Sequence, residues 1–376
     1  MLTYEEVNTV REDPYKWARQ EKEKGRIVFG IPPANFPEEL LHAAGIEPVL
    51  LQGSNEPATY GYSMCYHFMC GFNRSNIDWT MLGNLDFFDG FAYAHMCSQS
   101  YRMFQTMKYL KPKVPFLFMQ WPLEASDIFV STCVDRLKEL QKKVEAFLGR
   151  KIDEGSLRES IALYNRYRGL MRKIYEMRKQ NPWIMRAREM SALVQAGTVI
   201  PKKDYVEFLE RFIPELEKRE PAMDDRVKIY LSGHLCYPVK VDLLDLVEEI
   251  GGVVAWDDMD TGFRYVASDA PTDLPPIEAF ADRYINLVVP SPSRTEIKNE
   301  WADYVVRMVK ESDSQGIIIL IAKQCGPHLL YHSFMKDVLD DAGLAHLDLE
   351  VEHEIVSMEG LRTRVEAFVE MLRERR

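Results

Sequence analysis

Cys97 and Cys325 each follow a short apolar run that reads as a strand, FAYAH before the first and Gly316 to Ala322 before the second. Gln324-Cys325-Gly326-Pro327 ends its run abruptly. Gly-Pro blocks strand continuation and leaves the thiol in the loop that opens an amphipathic segment. With the second apolar run ending at Leu349, this stretch composes a strand–helix–strand unit of a parallel sheet. Ligands of such sheets sit outside the carboxyl ends of the strands. Two thiols at strand ends in two halves of the chain therefore point to one site where the halves meet. Thiolates placed there bind a metal ion, or an iron–sulfur cluster when a third thiol joins them. Cys70 is the third candidate and Cys65 its rival. Cys236 also follows a strand end and stays open, while Cys133 reads as structural. The spacing is scattered and carries no C-x-x-C signature, and an isolated cysteine is commonly a buried, inert one. Zinc is the alternative, with His67, His95 and His328 near the three thiols. The same imidazoles titrate near neutrality and are candidate proton donors. For each of them a surface or hydrogen-bonded core position is the plainer reading.

The 376 residues allow two or three domains. A net charge of −11 argues against nucleic acid as the main partner, since phosphate binding needs a basic surface. The opening MLTYEEVNTVREDPYKW lacks the apolar core of a signal peptide, and no apolar run approaches the roughly 18 residues of a membrane span. The expectation is a cytoplasmic protein that does not use a membrane. Disulfides are rare in that compartment, which leaves the six cysteines as thiols or metal ligands. No G-x-G-x-x-G, P-loop, G-x-S-x-G or H-E-x-x-H motif occurs, so this chain is not expected to hydrolyse nucleotides itself.

The elements that must position the thiols repeat in the two halves. RIVFGI reads as a strand, Pro37-Glu38-Glu39 opens a helix at its first turn, Gly45 stops it and IEPVLL begins the next strand. KVPFLFMQ is a further strand, closed by Trp121-Pro122. RVKIYLSG, a helix over DLLDLVEEIG and GVVAWDD repeat the pattern later. Between them, from about 125 to 225, apolar residues recur at three- and four-residue spacing, the mark of helices. The fold expected is α/β, two Rossmann-like parallel-sheet domains with a helical insert. Its boundaries are 1–124 for an N-terminal α/β domain with a leading helix, 125–225 for the helical region and 226–376 for a C-terminal α/β domain. The loop Asp257 to Tyr265, DDMDTGFRY, lies at a strand end and is either ligand-facing or occupied in capping.

Several segments together resemble the benzoyl-CoA reductase / 2-hydroxyacyl-CoA dehydratase family over nearly the whole chain. They are IPPANFPEELLHAAGIEPV, MCGFNRS, LDFFDG followed by Cys97, GRKIDEGSLRESIALYN, DDMDTGFRY and the Cys325-Gly-Pro segment. The resemblance implies a subunit of two Rossmann-like domains plus helices, with a [4Fe–4S] cluster on Cys70, Cys97 and Cys325. It implies three further participants: a homologous larger cluster-bearing subunit, a separate ATP-hydrolysing iron–sulfur activator and an acyl-CoA substrate. Two chemistries are implied. One is radical reductive dearomatisation of an aromatic acyl-CoA by a benzoyl-CoA reductase. The other is loss of a 2-hydroxyl group through a ketyl radical in a 2-hydroxyacyl-CoA dehydratase. Pro182-Trp183 and the segment Ala196 to Pro201 look more like the smaller cluster-bearing subunit of the reductases. Ser98 and Gly326 depart from the family, which usually has Asp after the second and third cysteine, and this leaves open an altered cluster potential or a non-catalytic, electron-transferring role.

Overall fold

The computed structural model describes residues 2–33, 35–54, 56–220, 225–296, 300–354 and 358–375. Among them, eight strands form two four-stranded parallel sheets. The first holds β1 (Ile27–Ile31), β2 (Ile46–Leu50), β3 (Gly90–Ala94) and β4 (Phe116–Met119) in the order β2-β1-β3-β4. The second holds β5 (Val227–Gly233), β6 (Gly252–Asp257), β7 (Gly316–Ala322) and β8 (His346–Val351) in the order β8-β7-β5-β6. Read from the other edge, the second order is that of the first. The repetition seen in the sequence is therefore a repetition of topology. In both sheets the order reverses between the first and third strands, β1/β3 and β5/β7, and such a switch point leaves a crevice at the carboxyl ends.

The strand sequences follow from this burial. Every residue of β7, GIIILIA, is buried, as are all of β3 and β6. Strands covered on both faces by helices read as continuous apolar runs rather than alternating ones. Registers run Gly30↔Phe91 between β1 and β3, and Gly233↔Leu320 between β5 and β7. Gly90 is required where β3 begins, because a Cβ there would come within 2.3 Å of the Phe29 ring.

The helical stretch does not stand apart. Val130–Leu148 and the first turns of Glu154–Gln180 share a core with the first sheet, through Leu137, Val144, Leu157 and Ile161. The rest of Glu154–Gln180, with Ala187–Gly197 and Lys202–Leu216, packs in the core that holds the second sheet. Later sequence also returns to the first half. Phe280 and Tyr284 of the Pro276–Ile285 helix join the first sheet's core, Tyr284 stacks on Trp121 at 4.0 Å, and Glu124 pairs with Thr295 in a two-residue parallel bridge. The leading segment is two helices, Tyr4–Asn8 and Lys16–Glu23, because Pro14 supplies no backbone N–H and the chain turns at Asp13. Among the described residues no helix is long and apolar enough to cross a membrane.

Candidate metal centre at the switch points

Cys97 follows β3, and Cys325 follows β7. Each is the N-cap of the next helix, Ser98–Leu110 and Gly326–Asp341. Cys70, reached by the long loop after β2, is the N-cap of Gly71–Met81. Three helices of 11, 13 and 16 residues thus present their amino ends beside three thiols. A helix amino end carries unpaired N–H groups and about half a positive charge, which favours a thiolate over a thiol. The sulfur of Cys97 accepts the Ser100 N–H at 3.3 Å, and that of Cys70 accepts the Asn73 side-chain amide at 3.1 Å.

The two halves are tied together around these sulfurs by glutamines. Gln99 accepts the Cys70 N–H at 2.7 Å and donates to the Gln324 carbonyl at 2.8 Å. Gln324 donates to the His67 carbonyl at 3.1 Å, and its own side-chain oxygen accepts from Arg74 at 3.2 Å. Its φ of +65° is a left-handed conformation uncommon outside glycine, and it aims the chain from β7 into the Cys325 cap. Arg74 is buried, pairs with Glu354 at 3.3 Å and lies over the Tyr62 ring at 4.9 Å.

Cys70, Cys325 and Cys236 line one small cavity of about 20 Å³ together with His234, Tyr237 and His353. Cys97 is not among the residues that line this cavity, though its sulfur opposes ionisation of the other three thiols. Burial, then the nearby Cys97 sulfur, pushes the Cys70 thiol above its ordinary range; burial, with the same neighbour, pushes Cys325 up to about 12. Sulfurs that resist a shared negative charge are neutral without a cation, and a bound cation reverses that balance. Among the described residues no three His, Cys, Asp or Glu side chains stand close enough to hold a single ion. Thiols set beside three helix amino ends are the donor type that an iron–sulfur cluster takes.

The other candidates separate. Cys65 turns its sulfur to the Gly61 carbonyl of its own loop at 2.9 Å, and Cys133 is fully buried in the first sheet's core. His67 is exposed, and its backbone carbonyl rather than its ring meets the site. His95 follows β3, half-buried beside Tyr101, and does not line the thiol cavity. His328 is fully buried against Trp301, one turn into the helix that Cys325 caps, with neither ring nitrogen hydrogen-bonded among the described residues. At the end of β6 Asp257 accepts from Tyr175 and the Phe263 N–H, and in the loop that follows Asp258 accepts from Ser232, Gly233 and Trp301. These two carboxylates cap and brace. Asp260 instead sits with its Oδ2 2.7 Å from His234 Nδ1, at the edge of the thiol cavity. The sequence named Asp260 only as part of the loop Asp257 to Tyr265, ligand-facing or capping, and did not mark out His234. The one signal for His234 was its place just past a strand end, next to Cys236.

His328 and His353 are both held at about 3, by burial foremost, with neighbouring cationic groups adding to it. The unfolded imidazole titrates near 6.5. Below that pH the unfolded chain takes up protons that the folded chain refuses, so stability falls as pH drops from about 6.5 toward 3 and is level above it. Each histidine contributes a slope of about 1.4 kcal/mol per pH unit in that window. His353 stands between the thiol cavity and a wider cavity of about 350 Å³, with its ring against Tyr237 and Phe72. Phenylalanine there keeps a ring but cannot titrate. Urea unfolding of His353→Phe between pH 7 and 5 is expected to show a visibly shallower decline than the parent; equal slopes would contradict the assignment.

The fold and site define a two-sheet α/β protein whose thiols gather at paired switch points. The sequence pattern described as 2-hydroxyglutaryl-CoA dehydratase, D-component, matches residues 33–372, and the chain belongs to that family. It is 23 % identical to a benzoyl-CoA reductase subunit of Thauera aromatica, over 95 % of this chain and 94 % of that one. It is 24 % identical to the (R)-phenyllactyl-CoA dehydratase beta subunit of Clostridium sporogenes, over 98 % of each. With the beta subunit of (R)-2-hydroxyglutaryl-CoA dehydratase from Acidaminococcus fermentans the identity is 26 %, again over 98 % of each.

Proposed function

We propose that this chain is the [4Fe–4S] cluster-bearing subunit of an ATP-dependent benzoyl-CoA reductase, with Cys70, Cys97 and Cys325 as cluster thiolates. The observation that carries the reading is that Cys97 and Cys325 cap the helices after the switch-point strands β3 and β7, with Cys70, the cap of a third helix, tied to both loops through Gln99. When bound, the cluster supplies single low-potential electrons for dearomatising an aromatic acyl-CoA. The chain's own groups hold and tune it. The Ser100 N–H and the Asn73 amide donate to sulfurs, and donors to cluster sulfurs shift the potential. Ser98 and Gly326 place no carboxylate on the first turns behind Cys97 and Cys325, so nothing there opposes an added electron. Gln99, Gln324 and Arg74 fix the distance between the halves. The partners in this reading are a homologous larger cluster-bearing subunit and an ATP-hydrolysing activator, which supplies the nucleotide loop that this chain lacks.

A second reading, a subunit of a 2-hydroxyacyl-CoA dehydratase, is favoured by relatives of that kind at the same level of identity. The test is anaerobic co-production with the partner subunit, then assay with activator, ATP and either benzoyl-CoA or a 2-hydroxyacyl-CoA. Loss of benzoyl-CoA in step with ATP hydrolysis is the expected result. Dehydration sustained by catalytic ATP would establish the second reading, and an iron-free complex would end both.

A further inference from the structure

We infer that His234, oriented by Asp260, donates a hydrogen bond to the cluster and makes it easier to reduce. The inference rests on the cluster reading above and deepens it. His234 follows Gly233, the last residue of β5, which is in register with Leu320 of β7. Asp258 accepts the Gly233 N–H at 3.0 Å, and a Cβ at Gly233 would come within 2.7 Å of the Leu320 carbonyl. The chain therefore leaves β5 at a fixed point, beside the strand whose end leads to Cys325. His234 is 3 % exposed, and its ring lines the cavity that Cys70 and Cys325 line. Its Nδ1 lies 2.7 Å from Oδ2 of Asp260, whose side chain is wholly enclosed. Neither atom has another partner among the described residues. Arg264 Nε stands 3.4 Å from the other Asp260 oxygen. One buried carboxylate is thus set between an imidazole and a guanidinium.

A carboxylate beside Nδ1 fixes the ring's orientation, and it is the counterion that a buried imidazolium requires. Both nitrogens of an imidazolium carry N–H. With Nδ1 turned to Asp260, Nε2 is the nitrogen left for the thiol side. A donor there stabilises negative charge on cluster sulfur, more so after an electron is added than before. With Arg264, the trio carries one positive charge in excess, which acts in the same direction. The other nitrogen-bearing side chains lining the cavity are less suited. His353 has no partner for either ring nitrogen among the described residues, and burial keeps it neutral. Lys323 is half-exposed and turns to Glu352 at 3.8 Å. Asp260 acts through His234 and is a positioning residue.

The experiment is a redox titration at one fixed pH, followed by EPR, of the complex with its partner subunit isolated anaerobically. Iron content is measured alongside. The forms compared are the parent, His234→Leu, His234→Gln and Asp260→Ala. The leucine variant is expected to keep its iron and titrate at a more negative potential. At the parent's midpoint its ratio of reduced to oxidised cluster should fall about tenfold, equivalent to about 59 mV for a one-electron couple. Glutamine, whose amide N–H extends toward the place of Nε2, should recover most of that shift. Asp260→Ala should move the potential the same way, by less. An iron-loaded leucine variant with the parent's potential overturns the donor and leaves the cluster reading standing. Equal shifts in the leucine and glutamine variants also overturn it, since lost packing rather than a lost N–H would then be the cause. A parent chain without iron overturns the cluster reading and this inference with it. If His234→Leu fails to fold, Asp260→Ala decides: the parent's potential refutes the inference, and a more negative one upholds it.

Discussion

Replacing Cys97 and Cys325 together by serine is expected to leave the chain nearly iron-free, against about four atoms per chain for one cubane in the parent. Serine keeps the volume and its cap geometry. Its hydroxyl, unlike a thiol, does not ionise at working pH and cannot supply the thiolate that iron requires. The pair removes one sulfur from each sheet's switch point and leaves Cys70 alone of the three proposed thiolates. The control is Cys65→Ser with Cys133→Ser. Cys65 is committed to the Gly61 carbonyl, and Cys133 is enclosed in the other core, where burial pushes it up to about 11. Iron content and the visible absorbance of the anaerobic protein read the result directly. Full iron in the first pair, or loss of iron in the second, would move the site away from the switch points.

The strands were legible because their burial on both faces turns them into unbroken apolar runs, GIIILIA most plainly. Cys97 and Cys325 were legible for the same reason: a run that ends at a Gly-Pro or opens a new helical period announces a loop at the sheet edge. Cys236 lies in such a loop too, but no second signal singled it out. Its meaning depends on strand order, because β5 and β7 are neighbours only after the chain has crossed over twice. Gln99 and Gln324 left no trace in any periodicity, since the contacts by which they join the halves run from side chain to backbone across more than two hundred residues. The return of residues 276–296 to the first sheet was equally hidden. An amphipathic helix states that it needs a partner, not which one, and here the Trp121–Tyr284 stack decides. The leading segment reads as one helix in the sequence because its charge pattern is helical on either side of Pro14.

Arg168→Ala is expected to destabilise the chain by about 3–5 kcal/mol, the cost of leaving a buried charge without its partner. Arg168 and Glu39 meet at 2.5 Å with side chains 3 % and 0 % exposed. Burial alone would push the Glu39 carboxyl up. The Arg168 and Arg283 guanidinium groups and the hydrogen bonds to Glu39 together outweigh it and hold Glu39 below the ordinary carboxylate range. The pair is not isolated: Asn165 accepts from Arg168 at 3.1 Å, and the neighbouring Glu38 accepts from Tyr265 at 2.8 Å, with Lys202 3.7 Å away. These contacts bind the Glu38–Ala43 helix of the first sheet to the Glu154–Gln180 helix and to the loop after β6. They therefore set the angle at which the two switch points face each other, and the loss should be felt as impaired cluster loading as well as a lower urea midpoint. Lysine at 168 cannot reproduce the guanidinium's fork and is expected to recover little. Arg168→Met combined with Glu39→Gln removes both charges and is expected to cost less than Arg168→Ala alone, since no uncompensated ion remains. A single variant that unfolds within about 1 kcal/mol of the parent, the range of an exposed pair, would show that the bridge is not what joins the halves.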